Sequence, residues 1–254
     1  WPRLFCILKR YFMSEIGTVF CCPFCGYKGP LELMGADRFP VLQELQVIGA
    51  GRRAAKCPKC KSTDKERLVY TFLKEIEQLE RLVNSNILHI APEPNLQRWL
   101  LSKSKNYIAG DAFLQNQKFI GEVRYVDICS TPFEDNKFDY VICNHVICDI
   151  KDDLRALNEV YRILGKGGIA ILQVPITKIS STVEYSNVQS KTERELAYGY
   201  GYHERIYNDK DYIRLLESVG FSVEVCNLYK DFGMYGLNKW EDLYICRKNN
   251  CSII

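Results

Sequence analysis

Residues 138–175, FDYVICNHVICDIKDDLRALNEVYRILGKGGIAILQVP, constrain the fold more than any other stretch of this chain. Phe138–Cys143 is an unbroken apolar-rich run, and Ile169–Val174 is a second; both predict buried strands. Between them, Leu154, Leu157, Val160, Tyr161 and Leu164 recur at the spacing of one helical face. Asp152 and Asp153 fall in the first turn of that helix, where carboxylates favour the helix dipole. Gly167-Gly168 permits a sharp reversal into the following strand. Buried strand, crossover helix and buried strand make a βαβ unit of a parallel sheet.

This segment resembles the fourth strand, following helix and fifth strand of class I S-adenosylmethionine (SAM)-dependent methyltransferases, of the type 11 kind. The residues that carry the resemblance are Phe138, Asp139, Val141, Val146, Ile150, Leu157, Glu159, Arg162, Leu164, Gly167 and Gly168. The resemblance extends upstream. Asn86–Ala91 reads as the first strand, Pro94 opens a helix carrying Leu96, Trp99 and Leu100, and Tyr107–Asp111 reads as a second strand ending on an acid. Arg124–Asp127 reads as the third. Asp211–Val219, Gly220–Cys226 and Asp242–Arg247 supply the last helix and two strands. The expected fold is therefore α/β: a doubly wound, mostly parallel, seven-stranded Rossmann-like sheet with a small N-terminal zinc-ribbon-like module. Ligands of such sheets sit at the carboxyl ends of the strands.

The resemblance also implies a cofactor site. Asp111 is placed to take the ribose hydroxyls, since both carboxylate oxygens accept hydrogen bonds. Asp127 is placed near the adenine amino group, and Asn144-His145-Val146 near the methionine part and the acceptor. The first loop departs from the family's Gly-rich form. It reads His89-Ile90-Ala91-Pro92-Glu93-Pro94-Asn95, with no glycine and two prolines that remove N–H donors. A subset of the family carries this "LH-apolar-AP-E" loop beside a zinc-ribbon-like segment. Ala91, Pro92 and Glu93 are then cofactor contacts, with Glu93 near the ammonium or the ribose.

Cys22-Pro-Phe-Cys25 and Cys57-Pro-Lys-Cys60 form a second signal. Paired C-x-x-C knuckles suit one tetrahedral Zn²⁺ held by four thiolates, a closed structural site without an open position. The 31 residues between the knuckles exceed the usual ribbon spacing, so a small sheet or hairpin is expected to fill them. Cys21 is a spare neighbour. The remaining cysteines are scattered, and Cys143, Cys226 and Cys246 lie in strand patterns as buried thiols. Twelve cysteines used in this way fit a reducing compartment, the cytoplasm, rather than a disulfide framework. No apolar run is long enough to span a bilayer. The chain opens on Trp1, from which a start further upstream is expected.

The organisation expected is an arm (1–20), a zinc-ribbon-like module (21–62), a connecting helix (63–84) and the methyltransferase domain (85–254). Thr63-Asp-Lys-Glu66 is a capping box, followed by Leu68, Val69, Phe72, Leu73, Ile76 and Leu79 on the inward face. Residues 176–208 break the strand–helix alternation and are expected to form a lid over the acceptor. In the lid, Gly201, His203, Arg205 and Tyr207 match a "G-x-D-H-x-R-x-Y" pattern of related sequences, with Tyr202 at the Asp position. Tyr200, Tyr202, Arg205 and Tyr207 are the expected acceptor contacts. The chain has three histidines. His145 and His203 are the candidate bases, and His89 is expected to brace the first loop. Cys148 and Asp149 stand where the family often has Glu and His.

Three functions fit these residues. The favoured one is methyl transfer from SAM to a small-molecule or glycan acceptor. The second is an RNA methyltransferase, because Arg52, Arg53, Lys56, Lys59, Lys61, Lys65 and Arg67 cluster about the second knuckle and could follow phosphates. The net charge of only +3 weighs against it. The third is a non-catalytic adaptor on a methyltransferase fold.

Overall fold

A computed structural model describes residues 19–35, 38–77, 79–115 and 120–249. The expected N-terminal arm lies almost wholly outside them. Strands β1 (Phe20–Cys21) and β2 (Lys28–Gly29) pair antiparallel around the first knuckle. β3 (Glu32–Met34), β4 (Val47–Ile48) and β5 (Arg53–Lys56) follow; β3 pairs antiparallel with β5, beside the second knuckle.

The main sheet contains β6 (Asn86–Ile90), β7 (Asn106–Asp111), β8 (Arg124–Tyr125), β9 (Phe138–Cys143) and β10 (Leu164–Ile171). Two short strands, β11 (Ile176–Thr177) and β12 (Tyr207–Asn208), intervene before β13 (Phe221–Cys226) and β14 (Leu243–Lys248) complete it. The order is β13-β14-β10-β9-β6-β7-β8, with β14 antiparallel to both neighbours and the other pairings parallel. This is the seven-stranded Rossmann-like sheet expected of a methyltransferase. The chain leaves β6 toward β7 and β8, then returns to place β9 on the other side of β6. The carboxyl ends of β6 and β9 therefore meet at the topological switch point, where doubly wound sheets bind ligands; Ile90 pairs with Cys143 there.

Burial on both faces explains the apolar runs of the central strands. Leu88, Ile90, Val141 and Ala170 face the helices Asp153–Ile163 and Asp209–Val219. Ile87, Tyr140, Ile142 and Ile171 face the helices Asp64–Thr71 and Pro94–Leu101. The second of these clusters also receives Phe24 of the first knuckle, whose ring lies 4.6 Å from that of Tyr70.

Several local expectations are corrected. The third strand ends at Tyr125, because Asp127 Oδ1 accepts the Cys129 N–H at 2.8 Å and turns the chain. The Gly167-Gly168 pair makes no clean reversal: β10 starts at Leu164 and carries a register shift between Leu164 and Ile169, with Gly167 at φ +74°. The connecting helix is two pieces. Its first piece runs through a π-helical turn, Phe72–Ile76, before Glu77 turns extended and a second helix covers Leu79–Asn84. Glu77 is held there by Tyr140 Oη and Arg247, each at 3.3 Å. Ile76 and Leu79 consequently point outward, as does Leu154 on the crossover helix, whose buried face is Ala156, Leu157, Val160 and Ile163.

The long insert between the knuckles does more than fill a gap. After β3 it forms a one-turn helix, Val41–Glu44, and β4 then pairs antiparallel with β11 just beyond the main sheet. The order β12-β11-β4 makes a small mixed sheet, so the N-terminal segment is woven into the base of the lid.

Candidate functional site: a cofactor cradle, an acceptor cavity and a thiolate cluster

The cofactor cradle is built on the ends of β6, β7 and β9. Ala91 takes over the role a glycine has in the Gly-rich loop: it sits in the left-handed region at φ +49° while its N–H donates to Gly110 O at 2.8 Å. Such a conformation costs an alanine about 1 kcal/mol. Pro92 is buried behind it. Glu93 closes the loop, caps the Pro94–Leu101 helix, and binds His89 Nε2 at 2.9 Å through one oxygen and Asn144 Nδ2 through the other. His89 is fully buried and also meets Tyr107 Oη at 3.0 Å, which makes it the brace of this loop.

Two buried acceptors in the cradle lack a donor. Asp111 Oδ1 accepts the Phe113 N–H at 2.7 Å, but its Oδ2 has no partner although the residue is only 4% exposed. Asn144 Oδ1 is likewise buried and unpaired. Buried polar groups are ordinarily satisfied. The ribose hydroxyls and α-ammonium of an adenosyl cofactor are donors of the kind that Asp111 and Asn144 would take. Asp127 stands half-buried at the end of β8 with one oxygen committed to its own turn. The residues present therefore fit SAM.

A cavity of about 470 Å³ opens beside the cradle. One wall lies at the carboxyl end of the sheet: His145, Asp149 and Pro175. The lid adds Tyr200 and His203, and the N-terminal segment adds Phe39, Leu42, the Gly49-Ala50-Gly51 turn and Lys65. The walls fit closely. A Cβ on Gly49 would lie 3.3 Å from His145 Cε1, and one on Gly199, in the lid at φ +74°, would lie 2.5 Å from Leu42. Glycine is needed at Gly199 both for the backbone conformation and for that approach.

His145 is itself at φ +57°, its N–H donating to Gln173 O at 2.7 Å. Its ring is buried against Glu241, 3.4 Å away, yet neither ring nitrogen is hydrogen-bonded. Burial, and then the charges of Lys65 and Arg53, hold its pKa well below the ordinary histidine range. His203 lies 3.7 Å from Asp149, and burial pushes its pKa down to about 3. Both imidazoles are thus neutral at physiological pH, and His203 is a poor proton acceptor. Asp149 is the group that sequence reasoning passed over. Burial raises its carboxyl to about 6, close to the pH at which a general base works best. Its position in the loop after β9 was the available signal.

The four expected acceptor contacts divide. Tyr200 lines the cavity; Tyr202 stands outside it, with Lys191 over its ring at 5.4 Å. Arg205 and Tyr207 are buried ties between the lid and the 150–153 turn. Arg205 binds Glu184 at 2.9 Å and the carbonyls of Ile150 and Lys151, and Tyr207 Oη donates to Asp153 at 2.5 Å.

The thiolate cluster gathers as the spacing predicts. The Sγ atoms of Cys22, Cys25, Cys57 and Cys60 all lie within 4.8 Å of one another, with Cys22–Cys60 at 3.5 Å and Cys25–Cys57 at 3.6 Å. Tetrahedral Zn²⁺ with bonds of about 2.3 Å places its sulfurs about 3.8 Å apart, so the set fits zinc. The knuckles are built alike: Gly26 N–H donates to Cys22 O, and Lys61 N–H to Cys57 O, each at 2.9 Å. Ser62 Oγ reaches Cys22 and Cys60, and the fully buried Arg67 donates to Ser62 O, Ala55 O and Gly236 O. The cluster touches the cofactor side directly. Asn95 Nδ2 donates to Cys60 O, while Glu66 Oε2 accepts the Asn95 and Leu96 N–H groups at the start of the Pro94–Leu101 helix.

Residues 76–172 match the family described as Methyltransferase domain. The match spans less than half of the chain, and it makes this stretch similar to a methyltransferase domain. It spans β6 to β10, and so carries the whole cofactor cradle. Over 78 residues the chain is 31% identical to Demethylmenaquinone methyltransferase from two strains of Staphylococcus epidermidis, a match of 27% of this chain and 32% of that protein. The chain thus spans about a third of the length of these curated relatives. Among solved structures, a SAM-dependent methyltransferase of Thermotoga maritima is 18% identical; 73% of this chain and 99% of that one are covered, TM-score 0.43. One of Archaeoglobus fulgidus is 12% identical, covering 72% and 94%, TM-score 0.46. No helix among the described residues is long and apolar enough to cross a membrane.

Proposed function

We propose that this chain transfers a methyl group from SAM to a small-molecule or glycan acceptor held in the cavity between sheet and lid. The observation that carries the reading is the placement of that cavity. It opens at the carboxyl end of β9, its wall formed by the same loop whose Asn144 faces the cofactor cradle. Its size is that of a small-ligand site. Bound SAM supplies an electrophilic methyl on a sulfonium. Asp111 and Asn144 orient the cofactor, the lid and the Gly49–Gly51 turn exclude water, and Asp149 accepts the proton that an oxygen or nitrogen acceptor must lose. His145, neutral and unpaired, hydrogen-bonds the acceptor. By its name, the curated relative from Staphylococcus epidermidis also acts on a small molecule, which supports this class of acceptor.

The RNA reading loses support from its own residues. Arg67 is buried among carbonyls, Arg53 is paired to Asp64 and Lys61 to Glu32, which takes three of the seven basic residues away from phosphates. Four thiolates and no open position keep zinc, when bound, out of the chemistry.

Calorimetric titration with S-adenosylhomocysteine tests the cofactor half of this proposal. Binding that weakens by about tenfold or more in Asp111→Ala is expected, since a charge-assisted pair of hydrogen bonds is lost. An intact, zinc-loaded protein that binds no S-adenosylhomocysteine would remove the enzymatic reading and leave the adaptor.

A further inference from the structure

We propose that the acceptor is acidic: a small organic acid or phosphate ester whose anionic group docks on Lys65. This rests on the methyltransferase reading above and narrows it.

Lys65 stands in the first turn of the Asp64–Thr71 helix and lines the acceptor cavity. No carboxylate among the described residues lies within 4.0 Å of its ammonium; Asp64, next to it in sequence, is paired with Arg53 and takes from Lys65 only the backbone N–H. Its neighbours are otherwise engaged. Arg53 spends its guanidinium on both oxygens of Asp64, at 2.5 and 2.9 Å, and on Gly51 O. Glu241 turns one oxygen to His145 and Gln173, while its other oxygen is buried and unpaired. Burial, and then the charge of Arg53, press the Lys65 ammonium below the ordinary lysine range. The carboxylates of Glu241 and Asp64 act on this ammonium only from beyond ion-pairing distance, and a partly buried cation with no direct partner is a costly arrangement that an anionic ligand relieves.

A second observation in the same cavity also points to a polar ligand. His145 is buried on the wall with both ring nitrogens unpaired. Arg53, Asp149, Tyr200 and His203 add further polar groups, and an apolar part of the wall is contributed by Met34, Phe39, Leu42 and Pro175. A neutral glycan would leave Lys65 without a partner and lay hydroxyls against these side chains. A compact molecule with an apolar or ring portion and one carboxylate or phosphate satisfies all three features. The cation comes from the segment that joins the knuckles to the sheet, which gives the N-terminal part of the chain a role in acceptor choice.

The test uses the full, zinc-loaded chain saturated with S-adenosylhomocysteine and titrated separately with inorganic phosphate and with citrate. Saturable binding of at least one anion is expected, weakened by about tenfold or more in Lys65→Gln and retained in Lys65→Arg. Preference for phosphate or for citrate identifies the acidic group. The proposal is overturned if neither anion saturates, or if Lys65→Gln binds both as well as the parent protein does. Titration with S-adenosylhomocysteine alone keeps the two readings apart. Its failure beside Lys65-dependent anion binding removes the methyltransferase reading and leaves the anion site; its success without anion binding does the reverse.

Discussion

Replacing Asp149 by Asn separates what this carboxylate does for chemistry from what it does to the fold. Burial raises its pKa from 3.8 to about 6. A buried acid whose folded pKa is raised contributes stability below its unfolded pKa and loses it as pH rises through the folded one. Above pH of about 6 the folded protein must therefore carry a desolvated charge, at a penalty of about 3 kcal/mol for two pKa units. Its side chain is 28% exposed, and the Lys65 charge already offsets part of that burden. A net gain of about 2 kcal/mol is expected for Asp149→Asn at about pH 8, equal to a rise of about 5 °C in midpoint for a chain of this size. At about pH 4 the folded carboxyl is neutral and the unfolded one is about half ionised, so the gain should shrink to about 0.5 kcal/mol. Thermal unfolding of the zinc-loaded protein at the two pH values reads this directly. Turnover should fall by about 100-fold or more, with S-adenosylhomocysteine affinity unchanged. An equal stability change at both pH values, or a loss at the higher one, would refute the argument from desolvation.

Other perturbations probe the remaining parts. Metal analysis of the purified chain should find about one zinc ion per chain, and chelation should weaken S-adenosylhomocysteine binding as well as the fold, because Cys60 and Glu66 hold the start of the Pro94–Leu101 helix. Binding that survives complete zinc removal would uncouple the two. Ala91→Gly should raise stability by about 0.5 kcal/mol, the relief of a left-handed alanine less the entropy a glycine adds to the unfolded chain; a clear loss in urea unfolding would contradict the strain. Arg67→Ala should cost about 3 kcal/mol or more, since three carbonyls lose their donor in a fully buried site. A midpoint within about 2 °C of the parent protein would show that water replaces the guanidinium.

The sheet was legible because its signals are local and repeated. Apolar runs at Phe138–Cys143 and Asn86–Ile90, a 3.6-period helix between strands and a capping box at Thr63 each carry their own physical reason, and the order of such units leaves few topologies. Errors fell where tertiary contact overrides local preference. Ile76 continues a helical stripe in sequence, but Glu77 is captured by Tyr140 and Arg247 and ends the helix. The thiolate cluster was legible from spacing alone, since a short knuckle leaves the sulfurs few other places to go. The acceptor cavity was not. Lys65 looked like one of seven basic residues near a knuckle; its place on the cavity wall beside Arg53, which is paired to Asp64, singles it out. Arg205 and Tyr207, matched to a lid motif, turned out to tie the lid down rather than face the cavity.

The same contacts show what positions a first loop that has no glycine. In the Gly-rich form, the backbone itself supplies close approach. Here two prolines stiffen the loop, and its position is set by side chains instead: Glu93 between His89 and Asn144, and Glu66 on the helix N–H groups. Glu66 belongs to the helix that begins beside Cys60, and burial raises its carboxyl above the ordinary range, with the charge of Glu93 adding to the shift. A carboxylate so placed needs those donors to stay ionised. Loop, helix start and thiolate knuckle therefore hold one another in position, and a chain that gave up the glycines would be expected to keep the knuckles.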